Sequence, residues 1–142
     1  MRVSFTGTRQ GMSEWQKQQL EKFFTEHRGE IFAFAHGACA GADVEAHAIA
    51  REVFGKELFI AIFPSTAKTR VRGLDANFEA EPEEPLKRDR KIVDAGYGVL
   101  LAAPLQMQEV LRSGTWSTIR YARKKKFRVE ILWREEHGSD LA

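Results

Sequence analysis

Cysteine is almost absent from this chain. One, Cys39, stands among 142 residues, so no intramolecular disulfide can form, and none of the cysteine and histidine spacings of zinc sites occurs. A reducing, cytoplasmic compartment is therefore expected, with Cys39 a small buried hydrophobe and no metal site. Long apolar runs are missing as well: nothing approaches the roughly eighteen residues of a membrane-spanning helix. The opening Met1-Arg2-Val3-Ser4-Phe5-Thr6-Gly7 enters a strand-like pattern at once, without the features of a targeting peptide. No membrane partner is expected. Charge of one sign is scarce too. A formal net charge of +2 permits anionic partners but falls short of the strongly basic surface of duplex-DNA binders.

What remains is the balance of a folded protein, 43% hydrophobic and 30% charged with ten phenylalanines for a core. The length suits one domain over residues 1–133, with 134–142 a frayed tail. Short β-rich runs alternate with longer stretches of helical period, the signature of βαβ units around a parallel sheet. Strands are expected at 2–6, 31–36, 58–63, 98–103 and 128–133. A capping-box pattern, Ser13-Glu14-Trp15-Gln16, opens a first helix carrying Leu20, Phe23, Phe24 and His27 on one face. The second helix repeats Ala42, Ala46, Ile49 and Val53 on one face and exits at Gly55. A polar stretch of 65–83 precedes a third helix at 85–95, and Ser113-Gly114-Thr115 opens a fourth. The fold class predicted is a Rossmann-like three-layer α/β/α sandwich on a five-stranded parallel sheet, order 3-2-1-4-5 with strands counted along the chain.

In such a sheet every strand-to-helix loop emerges at the carboxyl edge, and ligands sit there where strand order reverses. The loops at that edge contain Thr6-Gly7-Thr8-Arg9, Gly37-Ala38-Cys39-Ala40-Gly41-Ala42-Asp43, the run from Ser65 to Arg72, and Arg112-Ser113-Gly114-Thr115. Small residues admit a ligand close to the backbone, helix N-termini offer unpaired N–H groups, and Arg9, Arg70, Arg72, Arg112, Arg88 and Arg90 offer counter-charge. Singly, each has a plainer reading: a turn, room for helix–sheet packing, a solvated arginine. Their coincidence at one edge favours a phosphate cradle. Asp43 and His47, four apart on a helix, read either as an acid–base pair or as a dipole partner beside a packed histidine. Arg123-Lys124-Lys125-Lys126 reads as a nucleic-acid patch or as cations complementing a helix C-terminus, and Trp116 as a stacking surface or as core.

Four segments together resemble the SLOG superfamily, which joins DNA-processing proteins of the DprA/Smf type with the LOG "lysine decarboxylase-like" proteins. Val3 to Arg9 resembles the opening strand and its G-S/T-R turn. Gly37-Ala38-Cys39-Ala40-Gly41-Ala42-Asp43-Val44-Glu45-Ala46-His47 resembles the G-x-A-x-G-x-D-x-x-A-H segment of the DprA branch, the nearer of the two. Arg88-Asp89-Arg90-Lys91-Ile92-Val93 is similar to R-N-R-I-I, with Asp89 in the asparagine's place, and Ser113 to Thr118 resembles the S-G-S/T-x-x-T helix start. The resemblance implies a Rossmann-like domain with a cradle of Gly7, Thr8, Arg9, Gly37, Ala38, Gly41, Asp43, Ser113, Gly114 and Thr115, to which Arg88 and Arg90 bring charge.

LOG enzymes hydrolyse a nucleotide N-glycosidic bond with a glutamate in P-G-G-x-G-T-x-x-E, and Thr118 stands at that position here. DprA-type proteins bind single-stranded DNA, and other members sense nucleotide-derived ligands. The reading that follows is a binding domain for a nucleotide or nucleotide-derived phosphate ligand, with no catalytic residue or further cofactor assigned. Its alternatives are single-stranded nucleic-acid binding, or a nucleoside-phosphate N-glycosidase using Asp43 or Glu109. The resemblance also implies a homodimer.

Overall fold

The computed structural model describes residues 1–96 and 98–136. Along the chain it contains β1 (Arg2–Gly7), α1 (Glu14–Glu26), β2 (Ala33–His36), α2 (Ala42–Phe54), β3 (Phe59–Ile62), β4 (Phe78–Glu79), α3 (Pro85–Ala95), β5 (Val99–Ala103), α4 (Gly114–Lys124) and β6 (Arg128–Ile131). In β1, Val3 and Phe5 face one way and Ser4 and Thr6 the other, and all four are buried, as a strand covered on both faces requires. The capping box forms as the sequence predicts. Ser13 Oγ accepts from the Gln16 N–H at 3.1 Å while Gln16 Oε1 accepts from the Ser13 N–H at 3.0 Å, and Leu20 and Phe24 drop into the core one and two turns later.

The sheet is parallel throughout, in the order β4-β3-β2-β1-β5-β6. The expected order survives within it, with one strand more. The sixth strand, β4, spans only Phe78–Glu79 and lies inside the stretch expected to be loop. Two residues show no alternation, so periodicity cannot reveal such a strand. The rest of that stretch is also tied down: Cys39 pairs with Arg70 and Ser65 with Glu83 as isolated bridges, and the Ala40 N–H donates to Thr69 O at 2.8 Å.

Helices α1 and α2 cover one face, where Phe5, Phe24, Phe34, Ile60 and Ile62 meet in the larger cluster. On the other face α3 and α4 enclose a smaller core around Leu100, Trp116 and Ile119. Strand order reverses at β1, whose neighbours β2 and β5 lie on opposite sides, so the crevice opens between the loops that follow β1 and β5. At the end of the described chain, Arg134 donates to Gly11 O at 2.8 Å and its carbonyl accepts from Ser13 Oγ at 2.6 Å. The part of the expected tail from 137 to 142 lies outside the described residues. No helix among the described residues is long and apolar enough to cross a membrane.

Candidate functional site

A crevice of about 450 Å³ opens at the carboxyl edge, within the size range of small-molecule sites. Gly7, Thr8 and Arg9 line it from the β1 loop, Asp43 from the start of α2, Arg88 from α3, and Ser113, Gly114 and Thr115 from the start of α4. Gly37, Ala38, Gly41 and Arg90, also expected in the cradle, do not line it. The first three shape it from behind. A Cβ on Gly37 would lie 2.5 Å from Arg88 Nη1, so glycine is what lets that guanidinium donate to the Gly37 carbonyl at 2.9 Å. Gly41 turns the chain into α2 at φ +96°, a conformation side chains resist, and a Cβ there would strike the Arg9 backbone.

Ala38 adopts φ +52° without being glycine. Three contacts hold it: its N–H donates to His36 Nδ1 at 3.0 Å, its carbonyl accepts from the Val71 N–H at 2.7 Å, and its side chain is buried. This local cost fixes the loop behind the crevice floor.

Anion-binding equipment concentrates at α4. Ser113 Oγ caps the helix by accepting from the Trp116 N–H at 3.2 Å, and the N–H groups of the first turn have no intrahelical acceptor and carry the positive end of the dipole. A Cβ on Gly114 would meet nothing within 4 Å, so that position opens onto the crevice. Arg9 and Arg112 both line the crevice, and neither has a hydrogen bond, ion pair or ring contact among the described residues. Arg88 is more occupied, donating to Asp89 Oδ1 at 2.7 Å and to the Gly37 carbonyl. Arg70 is held by Glu79 at 2.9 Å and stays out of the crevice.

Two acids sit among these cations. Burial pushes the Asp43 carboxyl up to about 6, against the opposing pull of Arg88 and of the Cys39 N–H, which donates to Asp43 Oδ2 at 3.2 Å. Asp89 is also raised by burial, and Arg88 offsets part of this. Asp43 thus secures the loop beginning at Gly37. It does not pair with His47, whose Nδ1 lies 2.8 Å from His36 Nε2.

That histidine pair is the feature sequence reasoning missed. His36 Nδ1 accepts the Ala38 N–H, so its proton sits on Nε2 and is donated to His47 Nδ1, which leaves the His47 proton on Nε2, buried beside the Asp75 backbone without a well-formed hydrogen bond to it. Desolvation, with the His47 and Arg88 charges, lowers His36 to about 3, and desolvation also lowers His47. Both rings are neutral supports for the loop. The two residues are eleven apart on different elements, and no spacing rule joins such positions.

The remaining candidate residues lie away from the crevice. Trp116 is core, 2% exposed and 5.9 Å from the Trp133 ring. Thr118 is buried and donates back to the Gly114 carbonyl at 2.8 Å. Glu109 pairs with Arg120 at 3.0 Å and does not line the crevice. Arg90 faces a separate groove between α3 and α4, with its guanidinium 5.5 Å from the Tyr121 ring centre.

Comparison with solved structures bears on the fold that carries this crevice. A molybdenum cofactor binding protein from Rippkaea orientalis superposes with a TM-score of 0.70 at 15% identity, covering 98% of this chain and 80% of that one. The chain has the fold of that binding protein. The single-stranded-DNA-binding DNA processing protein A of Helicobacter pylori superposes with a TM-score of 0.63 at 17% identity over 92% of this chain. This chain spans 64% of that protein's length. No family model matches the sequence, and no curated protein does.

Proposed function

We propose that the crevice binds a nucleotide or nucleotide-derived molecule through its phosphate. The observation that carries this reading is the meeting of Arg9 and Arg112, two arginines without partners among the described residues, with the open N-terminus of α4 at Gly114. Unpaired guanidiniums beside free N–H groups are complementary to an oxyanion, and a phosphate, with its several oxygens, can engage both arginines and the helix end together. Neighbours of this fold named for binding a cofactor and single-stranded DNA are in keeping with a binding role. The crevice favours the small ligand over a strand, because its aromatic side chain, Phe5, is fully buried and cannot stack on bases as strand-binding grooves require.

Asp43 faces the ligand and suits a hydroxyl, such as a ribose hydroxyl, better than a phosphate. With Thr118 at the position of the LOG enzymes' hydrolytic glutamate and Glu109 outside the crevice, binding without turnover is the proposal. The test is calorimetric titration of a nucleotide panel into the wild type, Arg9→Ala and Gly114→Asp. Each variant should lose about tenfold or more in affinity, the worth of one charge-assisted contact, with native circular dichroism. Unchanged affinity in both places the site elsewhere. Release of free base that disappears in Asp43→Asn would replace binding by N-glycosidase activity.

A further inference from the structure

We propose that the groove between α3 and α4 is a second anion site, separate from the crevice, that takes a chain of linked phosphates. The groove encloses about 630 Å³. Its α4 wall is Ser117, Arg120, Tyr121, Lys124 and Lys125, which recur at helical spacing and so form one continuous face. Its α3 wall brings Arg90 opposite them, and Leu86, half exposed, gives an apolar lip. Four cations therefore converge on one trough.

The protein neutralises only some of that charge. Arg120 is paired with Glu109 at 3.0 Å and Lys125 with Asp94 at 3.4 Å. Among the described residues Arg90 has no carboxylate partner and rests on the Tyr121 ring, and Lys124 has no partner. Asp89, the acid on the wall, is engaged by Arg88 from the crevice side at 2.7 Å. Complementing the α4 dipole accounts for Lys124 in the last turn and Lys125 at the C-cap, but not for Arg90 and Arg120, which lie mid-helix on different elements. Placing Arg120 and Lys124 four apart on one face is itself unfavourable, so the cluster is not a by-product of helix formation. A single anion would engage one or two of these cations, whereas linked phosphates can engage the whole trough, with each arginine presenting a fork to phosphate oxygens.

The groove can be read residue by residue in amide NMR spectra titrated with three probes of like charge: tripolyphosphate, a thymidine hexanucleotide and hexaglutamate. Amides of 117–125 should shift saturably with at least one phosphate probe, on a curve distinct from those of Gly7 and Gly114 in the crevice. The more effective of the two phosphate probes then identifies the source, free polyphosphate or a phosphodiester strand. In Arg90→Gln/Lys124→Gln, and in Lys124→Glu alone, the groove curve should weaken about tenfold or more per cation removed while the crevice curve stays in place. Shifts confined to the crevice, groove curves unchanged in both variants, or hexaglutamate binding as tightly as the phosphates would each overturn the proposal.

Discussion

The buried ionisable residues behind the crevice pull stability in opposite directions with pH. His36 is held neutral down to about 3, below its ordinary 6.5, so the unfolded chain binds the extra proton between those values and stability rises with pH across that window. Asp43 does the reverse. Raised from 3.8 to about 6, it keeps its proton in the folded state while the unfolded chain releases it, and stability falls as pH rises through that range. His47, lowered, adds to the first slope and Asp89, raised, to the second. Asp43→Asn keeps an oxygen to accept the Cys39 N–H but removes one titration. The variant's stability should therefore climb more steeply with pH than the wild type's between pH 4 and 6, by up to about 1.4 kcal/mol per pH unit. Urea midpoints at pH 4, 5 and 6 measure this, and parallel profiles would contradict burial as the cause.

At the scale of elements, one buried amide joins α1 to the far side of the sheet. Gln16 is fully buried and donates from Nε2 to Pro104 O at 2.7 Å and to Leu132 O at 2.9 Å, beyond the ends of β5 and β6. Gln16→Leu strands both carbonyls in the interior and breaks the capping box, so it should cost roughly 2–4 kcal/mol, read as a lowered denaturation midpoint with an unchanged slope. The sequence showed half of this: the capping box is a local pattern, while the long-range bonds depend on a packing no window contains. Arg90 is the opposite case. Two residues along a helix turn a side chain through about 200°, so the period alone separates Arg90 from Arg88, and grouping them as one charge supply overlooked a legible signal. The loop glycines were found, but their work differs. Gly37 and Gly41 give room to Arg88 and to the Arg9 backbone, and Gly114 faces open space in the crevice, a distinction that needs neighbouring atoms rather than residue types.

For the whole molecule, strand order around β1 was readable because βαβ units leave few choices, and it placed the crevice between the correct loops. The extra edge strand was not readable, and it has a consequence for how copies of the chain meet. Asn77 accepts the Ile60 N–H through its side chain at 2.9 Å and donates its own N–H to the Ile60 carbonyl at 2.8 Å, and β4 then pairs with β3 for only two residues. That rim offers an incoming chain almost no free ladder. At the opposite rim, β6 carries the ion pair of Arg128 and Glu130, so a strand laid against it would crowd and desolvate both charges. Both sides of the sheet are thus guarded against growth by strand addition. The protein should withstand prolonged agitation near neutral pH without forming thioflavin-positive fibrils, whereas removing the side-chain acceptor at one rim with Asn77→Val, and the charges at the other with Arg128→Val/Glu130→Val, should shorten the lag before fibrils form.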